Sequence, residues 1–126
     1  MPVAHKSIIV TGAGSGIGEG TARHLAALGA LVTVNDINAE AGERVAAEIR
    51  AAGGQAHFVR ADVTCSADVQ ALVAAAVQQY GRLDCVVNNA GWTHRNRPLL
   101  EVSEADFDRV YAINVKSIYL SAIHAV

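Results

Sequence analysis

Four glycines at alternate positions, Gly12-Ala13-Gly14-Ser15-Gly16-Ile17-Gly18, separate a short apolar run from a helical pattern, and this turn constrains the fold most. Ahead of it, Ser7 to Val10 has the character of a short buried strand. Behind it, Ile17, Thr21, Leu25 and Leu28 fall on one helical face, and Gly29 is a good stop. Glycine lets a chain turn sharply, lets backbone N–H groups approach a pyrophosphate, and lets helix and strand pack closely. A phosphate would then sit at the positive end of the helix that begins near Gly16. The spacing reads Gly-x-x-x-Gly-x-Gly and not Gly-x-Gly-x-x-Gly, because Ile17 stands at the sixth position. A glycine run by itself also suits any flexible turn. Its place between a strand and a helix is what points to a dinucleotide.

The rest of the chain repeats that alternation. Leu31 to Val34 reads as a second buried strand, closed by Asn35-Asp36. Asn38 is positioned to cap a second helix with Ala41, Val45, Ile49 and Ala52 near its buried side and Glu40 paired with Arg44. Gly53-Gly54 ends it, and Ala56 to Val59 forms a third strand leading to Asp62-Val63. Ser66 is expected to cap a third helix, on which Val69, Leu72, Val73, Ala76, Val77 and Tyr80 make a 3.6-residue stripe ended by Gly81. Leu83 to Val87 is a fourth strand. After a polar loop from Gly91 to Pro98, Ser103 caps one last helix carrying Phe107, Val110, Tyr111, Asn114, Val115 and Ile118. Strict β–α alternation with right-handed crossovers predicts an α/β, doubly wound parallel sheet of Rossmann type, one domain over residues 1–126 with strand order 3-2-1-4. A ligand crevice is expected beyond the carboxyl ends of strands 1 and 4, where the order reverses, and strand 4 is left as an open edge.

Asp36 ends strand 2, 18 residues after Gly18, near the offset of ~20 residues expected of a ribose-binding acid. Its carboxylate is able to accept from the 2′- and 3′-hydroxyls. It would repel a 2′-phosphate by a few kcal/mol, on the order expected for a charge pair at an effective dielectric of ~20. No Arg or Lys stands in the glycine turn or directly after Asp36, so the residues favour NAD over NADP. The competing role for Asp36 is in capping the next helix, where Asn38 is the better candidate. No Lys-Ser/Thr pair follows the glycines, which argues against ATP or GTP hydrolysis.

Composition removes other classes. With 10 Lys and Arg against 12 Asp and Glu the chain has no basic footprint for nucleic acid, and 52% apolar residues exclude disorder. No apolar run is long enough to span a bilayer, and the N-terminus shows no cleavage-site pattern. Cys65 and Cys85 match no metal spacing, and with them we expect reduced thiols and a cytoplasmic location. The scattered His5, His24 and His57 point to no metal site.

These motifs together resemble the short-chain dehydrogenases/reductases over the whole chain. Thr11-Gly12-x-x-x-Gly16-x-Gly18 is similar to that family's cofactor turn, and Asp62-Val63 to its adenine-pocket pair. Asn88-Asn89-Ala90-Gly91 resembles its Asn-Asn-Ala-Gly signature, and Asn114 matches the Asn that holds a water in its proton relay. Taken singly each has a plainer reading: turn residue, loop former, or polar side chain bonded within a helix. The resemblance implies that Gly12, Ser15, Gly16, Ile17, Gly18, Asp36, Asp62, Val63, Asn89, Ala90 and Gly91 serve NAD. It also implies an alcohol/carbonyl substrate and, for the complete protein, a homo-oligomer.

The family's acid–base chemistry uses a Ser and a Tyr-x-x-x-Lys pair. Tyr111 and Lys116 are five apart, roughly 140° around a helix, and Tyr119 has Ile123 where Lys is needed. Ser121 and His124 can meet at i, i+3 but lack a third, orienting group. The expectation is therefore the N-terminal part of a longer oxidoreductase, inactive by itself. The alternatives are a non-catalytic NAD-binding module or a truncated fragment associating through its apolar edge. The loop from Trp92 to Pro98 lies where a substrate mouth is expected; a solvated loop or subunit contact is the plainer reading.

Overall fold

The computed structural model describes residues 2–91 and 99–125, so the Trp92 to Pro98 loop lies outside the described residues. Strands β1 (Ser7–Val10), β2 (Leu31–Asp36), β3 (Gln55–Arg60) and β4 (Cys85–Val87) form one sheet in the order β3-β2-β1-β4. All pairings are parallel, with Ile9 opposite Thr33 on one side and Val86 on the other. Helices α1 (Gly16–Ala27), α2 (Ala39–Ala51) and α3 (Ser66–Tyr80) form the crossovers. The architecture and strand order are those expected from the alternating pattern. Every residue of β1 is buried, as a strand covered on both faces must be.

Two apolar clusters hold the sheet. One lies under α1 and α2 and gathers Val10, Val32, Val34, Val45 and Ile49; the other lies under α3 around Ile9, Leu72 and Ala76. Two helix ends agree with the sequence signals. Asn38 accepts from the Ala41 N–H at 3.0 Å, and Gly81 closes α3 in the left-handed region at φ 76°.

Several expectations need correction. The fully buried face of α1 is Gly18, Ala22 and Ala26, one position on from the predicted one; Ile17 is 83% exposed, whereas Leu25 of the predicted face packs, half-buried, against the core. Small side chains win there because α1 must lie close to the sheet, whereas a hydropathy pattern favours the larger Ile and Leu. On α2, Arg44 reaches Glu48 and Glu19 in place of Glu40, and Ala52 is exposed at the helix end. Helix α3 is capped from Cys65 and not by the Ser66 hydroxyl; Asp68 in its first turn accepts from the Asp62 N–H at 2.9 Å. Strand β4 starts two residues late, because Asp84 pairs with Ser7 partly through its carboxylate, which accepts the Ser7 N–H at 2.8 Å.

The last helix, expected to be continuous, is also corrected. It is α4 (Glu104–Tyr111), a π-helical turn (Ala112–Lys116) and α5 (Ser117–Ala125), capped as expected by Ser103 on the Asp106 N–H. The wider π turn rotates α5 relative to α4, so Ser117, Leu120 and Ser121 turn inward. Of the residues expected on the buried side of this helix, Phe107, Tyr111, Val115 and Ile118 are exposed, while Val110 and Asn114 are half-buried. His124 meets Ser66 at 2.9 Å across to α3 and not Ser121.

Candidate functional site

The site begins at Thr11, the residue after β1. Its buried hydroxyl accepts from the N–H groups of Asn89 and Ala90, both at 3.0 Å, and donates to the Val87 carbonyl at 3.3 Å. One side chain therefore fastens the glycine turn to the segment after β4. Asn89 adds a second fastening through its Nδ2, which donates to the Gly12 carbonyl at 3.2 Å. Gly12 sits at φ +62°, and a Cβ there would fall 2.8 Å from the Ala90 Cα. Gly18 is equally obligatory, since its Cβ would fall 2.4 Å from the Gly12 carbonyl oxygen. The two segments touch backbone to backbone, which only glycine permits.

Asp36 closes the turn from the other side. One carboxylate oxygen accepts the Gly14 N–H at 2.8 Å and the other accepts the Asn38 N–H at 2.9 Å. It thus performs part of the helix-start role weighed against ribose binding. Both carboxylate oxygens keep further acceptor capacity. Ser15, the N-cap of α1, is extended and makes no side-chain cap bond, so its exposed hydroxyl faces outward beside the first N–H groups of the helix.

A cleft of about 360 Å³ opens in front of these groups at the carboxyl ends of the strands. Gly12, Ser15 and Asp36 line it from the ends of the central strands β1 and β2. Asp62 and Val63, after β3, line it on one side, and Asn89, Ala90 and Gly91, after β4, line it next to Gly12. Asp62 is fixed by Thr64, whose hydroxyl and N–H donate to it at 2.6 and 2.9 Å. The Thr64 hydroxyl is the main reason its carboxyl lies below the ordinary carboxylate range, with the positive Arg60 and Arg109 adding to it, so Asp62 is an ionised acceptor at neutral pH.

Of the predicted residues, eight therefore meet on one cleft: Gly12, Ser15, Asp36, Asp62, Val63, Asn89, Ala90 and Gly91. Gly16, Ile17 and Gly18 do not line it; they shape and start the helix behind it. Asn114 stands beside it on the π turn, its Oδ1 3.1 Å from where a Gly91 Cβ would be.

Sequence reasoning missed Asn35, Ile37, Ala61, Arg109 and Ile113, which complete the lining. Arg109 and Ile113 are an i, i+4 pair on α4 and the π turn, but nothing in their spacing tells which way that face looks. Asn35 is the most informative. It is 1% exposed, donates through Nδ2 to the carbonyls of Val59 and Ala61 at 3.1 and 3.3 Å, and leaves its Oδ1 with no partner among the described residues. An unsatisfied buried acceptor at the wall of a cleft marks a place for a donor from a ligand or a water.

With this geometry in hand, the comparisons agree on the class. The short chain dehydrogenase family model matches residues 6–126, and the chain belongs to that family. A 4-formylbenzenesulfonate dehydrogenase of Comamonas testosteroni is 54% identical over 114 residues, covering 90% of this chain and 45% of that protein. Among solved structures, the 3-ketoacyl-(acyl-carrier-protein) reductase from Brucella melitensis complexed with NADH matches with a TM-score of 0.90 at 41% identity, over 96% of this chain and 48% of that one. A metagenomic short-chain oxidoreductase in complex with NADP matches with a TM-score of 0.91 at 35% identity, over 98% of this chain and 56% of that one. The chain spans about half the length of these proteins. Among the described residues, no helix is long and apolar enough to cross a membrane.

Proposed function

We propose that this chain binds a nicotinamide dinucleotide, NAD(H) in preference to NADP(H), and serves an oxidoreductase that interconverts a secondary alcohol and a carbonyl. The observation that carries the reading is the Gly14–Asp36 contact. A Cβ at Gly14 would fall 2.7 Å from the Asp36 Oδ2, so glycine there leaves the carboxylate at the mouth of the turn. The cleft fits the cofactor on its own chemistry: backbone donors at a helix start for the pyrophosphate, an acid for the ribose, and an orphaned acceptor in its wall.

When bound, the nicotinamide supplies hydride transfer. The residues of this chain hold and orient. Gly12 and Ser15 bring N–H groups and a hydroxyl to the phosphates, Asp36 accepts from the ribose hydroxyls, and Asp62 accepts from the adenine amino group. Ile37, Val63 and Ile113 exclude water around the base. We assign Asn114 the holding of a water for the proton path, because the π turn sets its side chain against Gly91. None of the three tyrosines has Lys four positions later, so these 126 residues are assigned cofactor binding and the water held by Asn114, and not the acid–base group itself.

Asp36→Ala tests the reading. The NADH dissociation constant, followed by cofactor fluorescence, is expected to rise roughly tenfold or more for loss of a charged hydrogen bond, with discrimination against NADPH relaxed. Unchanged selectivity contradicts the ribose assignment.

A further inference from the structure

Arg44 enters the neighbourhood of the ribose acid from the second turn of α2, where the sequence order gives no sign of it. Its Nη2 donates to the Gly14 carbonyl at 3.3 Å, and Gly14 is the residue whose N–H donates to Asp36. A single residue thus separates a carboxylate and a guanidinium, one on its amide and the other on its carbonyl. The guanidinium is already engaged elsewhere. It pairs with Glu19 at 3.1 Å and with Glu48 at 3.2 Å. Arg23 closes the figure, pairing with the same Glu19 at 2.8 Å and with the same Glu48. Two arginines and two glutamates alternate in a ring that ties α1 to α2 beside the glycine turn.

These side chains are 23% to 48% exposed, a setting in which ion pairs contribute little to stability. The ring's larger effect is on where the charge of Arg44 is directed. The bonds from Arg44 and then from Arg23 hold the Glu19 carboxyl below its ordinary range, so it stays ionised as their partner. A cation near the ribose 2′ position is the usual means of admitting a 2′-phosphate. Here such a cation stands next to the turn, with two carboxylates cancelling it.

We propose that Glu19 and Glu48 withhold Arg44 from the ribose 2′ position, so that exclusion of NADP depends on this ring as well as on Asp36. The inference rests on the cofactor reading above. Without the two carboxylates, only the neutral Gly14 carbonyl retains Arg44 there, and a phosphate is the stronger, charge-assisted partner for a guanidinium.

The experiment titrates the protein with NADH and with NADPH and reads the ratio of dissociation constants. The ratio is the readout because removing Glu19 from the start of α1 favours any pyrophosphate, whichever cofactor carries it. In Glu19→Gln/Glu48→Gln the ratio is expected to shift toward NADPH by roughly tenfold, and adding Arg44→Gln is expected to abolish the shift. Glu48→Gln alone, the milder variant if the pair misfolds, shifts it less in the same direction. Glu40→Gln/Glu43→Gln, an equal charge change placed wholly on α2, leaves it in place.

A ratio unmoved in Glu19→Gln/Glu48→Gln overturns the proposal. So does a shift that survives Arg44→Gln or is matched by Glu40→Gln/Glu43→Gln. NADH binding by the wild type, with the ratio unmoved in Glu19→Gln/Glu48→Gln, refutes the ring alone. A wild-type protein that binds neither dinucleotide refutes the cofactor reading, and the ring with it.

Discussion

On the α1/α2 face of the sheet, side chains such as Val34, Val45 and Ala46 have no solvent exposure, and α2 sits so close that Gly42 has no room for a Cβ beside the Phe58 ring. The opposite face has a smaller core around Ile9, Leu72 and Ala76, and beyond it α4 and α5 leave Phe107, Tyr111 and Tyr119 more than half exposed. The glycine turn belongs to the first face and is fixed by hydrogen bonds at Thr11, Gly12 and Gly14. The contrast teaches where rigidity is concentrated. The groups assigned to ribose and pyrophosphate are set by dense packing, whereas Arg109 and Ile113 reach the cleft from the more open side.

The largest expected effect comes from the point where turn and helix touch. Gly18→Val forces a side chain against the Gly12 carbonyl, an atom of the main chain that has nowhere to go. A loss of about 3 kcal/mol or more in urea denaturation is expected, together with loss of NADH binding. Wild-type stability would mean that the turn is looser than its contacts imply.

A matched pair of truncations sharpens the comparison. Val34→Ala empties part of the sealed face and is expected to cost about 2 kcal/mol. Ile118→Ala, 48% exposed on α5, is expected to change stability by less than about 0.5 kcal/mol. Equal costs in denaturant midpoints would erase the distinction between the faces.

The smallest effect is a pH dependence on β3. His57 bonds the buried Thr33 hydroxyl at 2.7 Å and stacks edge-on against Tyr80. Burial, and secondarily the positive Arg50, hold its imidazole below the ordinary 6.5 in the folded chain. The unfolded chain therefore takes up this proton at higher pH than the folded one. Its contribution to stability falls as pH drops below 6.5 and levels off once pH passes the folded value. His57→Gln is expected to flatten that stretch of the stability profile, and an unchanged slope would assign it to other groups.

The sheet order was legible because alternation and crossover handedness leave few topologies, and eight cleft residues were legible because they lie at strand ends in chain order. What escaped depends on helix rotation. The inward face of α1 is made of Gly and Ala, whose small size matters more than their hydropathy. The π turn altered the phase of the last helix, and no local residue signals such an insertion. Arg44 and Arg109 reach the site across space from helices, so their positions in the chain gave no warning.

Amide hydrogen exchange with and without NADH tests the central claim most directly. The account predicts added protection at Gly12 to Ser15, the residues after Asp36, Asp62-Val63 and Asn89 to Gly91, with α5 unchanged. Protection confined to α4 and α5, or none at saturating NADH, would contradict it.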